Sequence, residues 1–152
     1  MSLDKIDKHI VMLLQEDAKQ TTKEISNKTG LSVTAVYERI KKLERDKIID
    51  KYVALINKNN VDKGFMVLCR IKLEKHSKAY LTKFETEVGK IDEVLECYNI
   101  TGDYDYLLKI LVRDMDSYRE FMVTKLTTLN HIGSTRSTFV ISSIKNTTSI
   151  LL

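Results

Sequence analysis

The sequence predicts an α+β protein with a helical N-terminal domain and a mixed C-terminal domain. In the first 45 residues, apolar side chains recur every three or four positions, which is the period of one face of an α-helix. From residue 64 onward, β-rich apolar runs alternate with amphipathic stretches. A chain of 152 residues is long enough for two small domains, and the change of period places the boundary between them.

The first predicted helix lies in "LDKIDKHIVMLLQED", and a second begins in "QTTKEISNKTG". The apolar side chains of the first share one face: Leu3, Ile6, Ile10, Leu13 and Leu14. Thr21, followed three residues later by Glu24, matches a capping box at the start of the second helix. Gly30 can adopt the left-handed conformation that ends a helix.

The third predicted helix, "SVTAVYERIKKLERDK", completes a helix-turn-helix. Ser32 caps it, and Val36, Ile40 and Leu43 form its inner face. The opposite face can enter a major groove, where its first residues reach base edges and its basic residues reach phosphates. The predicted DNA-binding residues are Ser32, Val33, Thr34, Tyr37, Glu38, Arg39, Lys41, Lys42 and Arg45. The alternative is an ordinary pair of helices with a solvated charged face.

A short connection separates the two predicted domains. "IIDKYVALIN" is β-rich and apolar, and the polar "KNNVDK" reads as a linker. We therefore predict a DNA-binding domain at 1–50, a hinge strand and linker at 51–63, and a second domain at 64–152.

The sequence pattern of the second domain predicts the order β-α-β-β-α-β, which is that of a ferredoxin-like unit. The predicted strands are "GFMVLCRIKLE", "VLECYNI", "DYLLKILV" and "STFVISSIK", and the helices are "SKAYLTKFETEVGK" and "DSYREFMVTKLTTL". Leu81, Phe84 and Val88 share a face of the first helix, which Gly89 ends. The inner stripe of the second is Tyr118, Phe121, Met122 and Leu126.

Composition excludes several classes of protein. No apolar run approaches the roughly 18 residues needed to cross a bilayer, and the charged N-terminus is unlike a secretory signal. Cys69 and Cys97 are expected to be reduced thiols, so we predict a cytoplasmic protein without a membrane partner. The net charge of +4 is too small to indicate a nucleic-acid partner by itself.

The turn "TGDYDY", residues 101–106, places acids and phenols between two apolar runs. No metal or other cofactor is expected there, because His9, His76 and His131 are scattered and none lies at ligand spacing from the cysteines. No nucleophile–base constellation or phosphate loop supports catalysis, so the protein is not expected to be an enzyme. The residues alone favour a plain surface turn.

The stretches "LDKIDKHIVMLLQEDAK", "LSVTAVYERIKKLERDKII" and "TGDYDYLLKILVRDMDSYREF" resemble the Lrp/AsnC family of transcriptional regulators, in order and over nearly the whole chain. The resemblance implies a winged helix-turn-helix domain, a hinge strand, and a C-terminal domain that dimerises and senses amino acids. It also implies dimers that assemble into octamers or other higher oligomers. One departure is Val33, because the family usually has proline after the capping serine.

The resemblance also implies that the turn lies at an effector site. Asp103 or Asp105 can accept hydrogen bonds from an ammonium group, and backbone N–H groups around Gly102 can bind a carboxylate. A second strip, "HIGSTRST", matches a family pattern of hydroxyl residues through Thr135 and Ser137, although ordinary strand-edge polarity explains it equally well. The implied effector-binding residues are Thr101, Gly102, Asp103, Tyr104, Asp105, Thr135 and Ser137.

The resulting expectation is a sequence-specific regulator of transcription that binds double-stranded DNA and responds to an amino acid or related effector. The alternative is an architectural protein of the same fold that coats DNA without an effector. A third hypothesis is an enzyme, or a regulator of an enzyme, that retains a ferredoxin-like domain.

Overall fold

The computed structural model describes residues 3–152, which fold into two compact units. The first contains the chain through Leu55 together with Ile144–Leu152, and the second is Ile56–Ser143. This division differs from the predicted one, because the last nine residues pack with the first unit and not with the second. Residues 1 and 2, part of the predicted first domain, lie outside the described residues.

The first unit is built from three helices whose ends are set by local hydrogen bonds. Helices α1 (Lys5–Glu16), α2 (Thr22–Thr29) and α3 (Val33–Arg45) are capped by Asp4, Thr21 and Ser32. The predicted capping box at α2 is confirmed, and Gly30 ends the helix with φ of 72°. The buried apolar core of the unit consists of Ile10, Val11, Leu13, Ile25, Val36 and Leu43.

After α3, where a hinge strand was predicted, the single chain forms no strand. Residues 46–57 form no strand, and Tyr52, Val53, Leu55 and Ile56 are exposed. The stretch has β-forming side chains, but no neighbouring strand in the described part of this chain pairs with its backbone. The predicted linker becomes the short 3₁₀ turn Lys58–Val61, capped by Asn57.

The second unit has the predicted βαββαβ order. Strands β1 (Phe65–Leu73), β2 (Val94–Asn99), β3 (Tyr106–Val112) and β4 (Ile132–Phe139) form one antiparallel sheet in the order β2-β3-β1-β4. Helices α4 (Lys78–Val88) and α5 (Met115–Phe121) supply Phe84, Val88, Tyr118 and Phe121 to the core under one face. The ferredoxin-like prediction is therefore confirmed.

Two element boundaries in this unit differ from the sequence prediction. The fourth strand begins at Ile132, not at 137, and ends at Phe139, because its register is set by pairing with β1 from Leu73 to Val67. The predicted second helix is α5 followed by one π-helical turn, Met122–Leu126, whose last residue is fully buried. The predicted stripe therefore still faces the sheet, with Met122 partly buried.

The other face of the sheet is covered by neither of the helices of its own unit, because α4 and α5 both pack on the core face. It carries half-buried Leu68, Leu107 and Leu111 beside the ion pair between Glu96 and Lys109, whose Oε1 and Nζ atoms are 2.9 Å apart. We call this surface the open sheet face. Among residues 3–152, no helix has the length and apolar character needed to cross a membrane.

Candidate nucleic-acid interface and effector site

Helix α3 presents an exposed face opposite its buried one. Val36 and Leu43 are buried in the three-helix core, and Ile40 packs against it. Because the helical period separates the two faces, the predicted DNA-binding residues lie largely outward. Those with exposed or half-exposed side chains are Ser32, Val33, Thr34, Tyr37, Glu38, Lys41, Lys42 and Arg45.

The turn that positions α3 is fixed by a bond that the sequence does not reveal. Ser26 is small enough for α2 and α3 to cross closely. Its hydroxyl also donates a hydrogen bond of 2.5 Å to the carbonyl oxygen of Leu31, across the turn. Together with the left-handed Gly30, this bond sets the direction in which α3 begins.

Arg39 is the exception among the predicted DNA-binding residues. Its Nη1 atom lies 2.6 Å from an Asp7 carboxylate oxygen and 2.7 Å from one of Asp4. The hydrogen bonds that it donates to Asp4, and then to Asp7, raise the pKa of Arg39. The pKa of Asp4 is lowered, first by the backbone N–H of Asp7 and then by Arg39. Arg39 therefore ties α3 to the start of α1 through Nη1, and its side chain is 31% exposed.

The remaining basic residues of α3 differ in how far they are engaged. Lys41 pairs with Glu44 at 2.8 Å, and Tyr52 donates a 3.1 Å hydrogen bond to the same carboxylate. The Nε atom of Arg45 is 3.8 Å from Asp46, and its side chain is 72% exposed. Lys42 has no ion pair among the described residues. Lys42 and Arg45 are thus the most accessible cations on this face.

The loop between β2 and β3 is held at the end of β1 by Asp105. Its carboxylate accepts a 2.7 Å hydrogen bond from the backbone N–H of Leu73 and lies 2.9 Å from Nε2 of His76. Its own N–H donates to the carbonyl oxygen of Ile71, and its carbonyl oxygen accepts from the N–H of Ile100. Both carboxylate oxygens of Asp105 are therefore engaged in holding the fold.

Asp103 has the opposite environment in the same loop. Its side chain is exposed and forms no hydrogen bond or ion pair within residues 3–152. Thr101 and Gly102 are also exposed, and Tyr104 is half-buried. Gly102 has φ of 109°, which L-residues rarely adopt, so the loop conformation requires glycine there. Of the two predicted carboxylates, Asp103 has no polar partner within residues 3–152, whereas Asp105 has one on each oxygen.

The structure places Thr135 and Ser137 on β4, at alternate positions facing the helices. Thr135 pairs with Ile71, whose carbonyl oxygen also receives the N–H of Asp105, so this threonine and the loop flank β1 from opposite sides. Two strand spacings, about 10 Å, separate their backbones. The hydroxyl of Ser137 is 2.6 Å from that of Tyr118, on α5. Thr135 is therefore closer to the loop than Ser137 is.

The sequence analysis did not predict that His76 and Tyr118 belong to this region. Their contacts with Asp105 and Ser137 join residues 29 and 19 positions apart. The sequence predicts Tyr118 only as a core residue; burial raises its pKa to about 12 and keeps its hydroxyl protonated. No spacing pattern in the sequence predicts either contact, because each depends on how the strands pair.

The first unit has three helices, one of which has an exposed basic face. In the chain it is followed by a βαββαβ unit with a polar loop at one end of the sheet. This is the organisation of a DNA-binding protein with a sensor domain. Residues 3–44 match the model of the AsnC-type helix-turn-helix domain, and residues 66–150 match that of the Lrp/AsnC ligand binding domain. The chain belongs to the Lrp/AsnC family of transcription regulators.

Individual relatives extend over nearly the whole chain. The leucine-responsive regulatory protein of Escherichia coli K12 is 35% identical over 99% of this chain and 92% of its own length. The structure of a transcriptional regulator of Neisseria meningitidis in complex with L-Met superposes with a TM-score of 0.93 at 34% identity, covering 98% of this chain and 96% of that one. An AsnC family regulator from Agrobacterium tumefaciens gives the same TM-score and identity, covering 97% and 96%.

Proposed function

We propose that the protein regulates transcription by placing the exposed face of α3 in the major groove of an operator. The observation that carries this proposal is that the basic residues of that helix differ in their partners. Arg39 is bound to Asp4 and Asp7, whereas Lys42 and Arg45 remain accessible to phosphates. Thr34 and Glu38 lie on the same exposed surface for contact with base edges.

Binding to a labelled operator, selected from a random DNA library and measured by fluorescence anisotropy at several salt concentrations, tests this proposal. Lys42→Ala and Arg45→Ala each remove one cation that we place against a phosphate, so each should reduce the slope of log K against log salt by about 0.9. Lys90→Ala, at an exposed lysine just after α4, is the matched control and should leave the slope unchanged. Equal affinity for the selected and unrelated sequences would favour the architectural alternative.

We further propose that an amino acid binds at the loop 101–105. Asp103 would accept hydrogen bonds from the ammonium group, and backbone N–H groups around Gly102 would donate to the carboxylate. Thr101, Tyr104 and Thr135 would complete the surroundings of the ligand. Asp105 would act as a positioning residue, because its oxygens already hold Leu73 and His76. The names of two relatives direct the search first to leucine and L-Met.

A thermal-shift screen against the common amino acids tests the effector site. A ligand at 100 times its dissociation constant should add about 2.7 kcal/mol to the free energy of unfolding. Asp103→Asn, which keeps the shape and removes the charge, should abolish the shift without changing the melting temperature of the free protein. A full shift in that variant would exclude Asp103 as the ammonium ligand.

The open sheet face is the surface that we propose for dimerisation. Its half-buried leucines lie between charged side chains, and neither α4 nor α5 covers them. An apolar sheet face of this kind is stabilised by burial against a second copy. Dimers would then assemble into octamers or other higher oligomers, which light scattering after gel filtration would measure. The protein would act in the cytoplasm by binding alone, without a catalytic step.

A further inference from the structure

The first unit contains an apolar groove that the helix-turn-helix does not need for contacting DNA. Val11, Leu14 and Gln15 of α1 form one wall, and residues 48–55 form a second. Thr148, Ile150 and Leu152 form a third wall, and the three walls surround a cavity of about 510 Å³. The second wall includes Tyr52, Val53 and Leu55, the exposed apolar residues of the stretch that lacks a strand partner.

The third wall is a segment from the far end of the sequence, residues 148–152. The N–H of Ile150 donates a 2.7 Å hydrogen bond to Oε1 of Gln15, and the carbonyl oxygen of Ile150 accepts a 2.9 Å bond from Nε2 of the same side chain. One primary amide therefore satisfies both backbone groups of one residue, as a neighbouring strand would. The two bonds join residues 135 positions apart.

The side chains of this segment alternate in the way that an extended chain requires. Ile150 and Leu152 line the groove while 68% and 44% exposed, and Leu151, between them, is 87% exposed. Thr148 also lines the groove, two residues before Ile150. A period of two is expected when one edge of an extended segment faces a binding surface.

The groove wall also contacts α3. Tyr52 lines the groove, and its hydroxyl bonds to Glu44, which in turn holds Lys41. Residues 48–55 therefore lie between the docked segment and a lysine on the exposed face of α3.

We propose that α1 and residues 48–55 form a docking site for the segment 148–152 of this same chain. Gln15 holds the segment through the backbone of Ile150, and Ile150 and Leu152 contribute to the wall of the groove. Docking orders residues 48–55 and so fixes Glu44 and Lys41 on α3. Only this last step rests on the proposed DNA-binding function.

Hydrogen exchange of the full-length chain, followed by NMR, tests the docking. The amide of Ile150 should exchange about ten times more slowly in the wild type than in Gln15→Ala, because two exposed hydrogen bonds together contribute on the order of a tenfold change in equilibrium. Gln15→Glu, which can accept from the N–H but not donate to the carbonyl, should give an intermediate rate. Gln15 lies on the surface of α1, and circular dichroism will verify that both variants fold.

The segment itself provides a matched pair of variants. Ile150→Ala should release the segment, whereas Leu151→Ala should leave the exchange rates of its amides unchanged. Equal effects of these two substitutions, or an unprotected Ile150 amide in the wild type, would overturn the proposal. Protection that falls when the protein is diluted would assign the segment to a second copy and overturn docking within one chain.

The coupling to DNA is measured separately by anisotropy with the same variants. Ile150→Ala should weaken operator binding by several fold, and Leu151→Ala should not. Release of the segment without any change in affinity would overturn the coupling and leave the docking established. Failure of the wild type to bind DNA would contradict the proposed function, while the exchange experiment would still decide the docking.

Discussion

The two units of the molecule are stabilised in different ways. The βαββαβ unit has thirteen buried residues in its core, contributed by strands and helices, whereas the three-helix unit has six. In the smaller unit all three helices are capped by side chains, namely Asp4, Thr21 and Ser32, and Arg39 pairs with the buried Asp7. A small core leaves a narrow margin of stability, and caps and ion pairs provide part of it.

This difference explains why a predicted binding residue can have a structural role. In the sequence, Arg39 resembles Lys42 as a basic residue of α3. In the structure, however, Arg39 forms ion pairs with Asp4 and Asp7 at the start of α1. The same division recurs in the sensor loop, where Asp105 holds the strand end and Asp103 faces solvent. The comparison predicts that substitutions of core residues have their largest effect in the βαββαβ unit and substitutions of polar residues in the three-helix unit.

The largest effect is expected from Phe84→Ala. Phe84 is 1% exposed and packs against Tyr106 with ring centroids 4.7 Å apart. Loss of this ring should lower the free energy of unfolding of the βαββαβ unit by about 4 kcal/mol. Native-state hydrogen exchange, which reports each unit separately, measures the change. Phe139→Ala, at a half-exposed site, is the control and should cost less.

A smaller loss is expected from Arg39→Ala in the three-helix unit. The substitution leaves Asp7, which is 6% exposed, without its guanidinium partner. We expect a loss of about 2 kcal/mol, below the value for a fully buried pair because the arginine is partly solvated. Urea unfolding followed by circular dichroism checks this value. If Lys42→Ala destabilised the protein equally, the structural role assigned to Arg39 would be wrong.

Thr21→Ala probes the capping box of α2. The hydroxyl accepts a hydrogen bond from the N–H of Glu24, and the carboxylate of Glu24 accepts from the N–H of Thr21. Removal of the hydroxyl should cost about 1 kcal/mol in the same unfolding experiment. Glu24→Gln retains an oxygen that can accept from Thr21, so its cost should be smaller.

The smallest change, and the only stabilising one, is expected from Val33→Pro. Ser32 has φ of −66° and ψ of 155°, a conformation compatible with a following proline, and Val33 is the first helical residue. Proline there should add about 0.5 kcal/mol by restricting the unfolded chain. The readout is the melting temperature of the variant, and a decrease would show that the entry into α3 is strained by the ring.

Local signals in the sequence are sufficient where local contacts determine structure. Thr21, Gly30 and Ser32 mark the ends of α2 and the start of α3 through bonds within a few residues. Apolar runs rich in β-forming residues identify β1 and β3, because burial of the inner face of the sheet selects such side chains. The family resemblance adds the order of the domains and the class of protein.

Non-local pairing determines what the sequence does not reveal. The start of β4 at Ile132 depends on its register with Leu73, and its polar composition conceals this. The apolar stretch after α3 forms no strand because no partner strand is present in the described part of the single chain. The separate roles of Asp103 and Asp105 depend on Leu73 and His76, which lie 32 and 29 positions from Asp105, and spacing within the loop cannot indicate such contacts.

The first unit is built from two separate stretches of the chain, because Ile144–Leu152 returns to it after the sheet is complete. This matters for chimeras in which domains are exchanged between related proteins. A chimera joined at a single point near residue 55 would pair one parent's helices with the other parent's 144–152 segment. Functional recombinants should therefore be recovered more often when both stretches come from one parent, and a library with two crossovers would show that linkage.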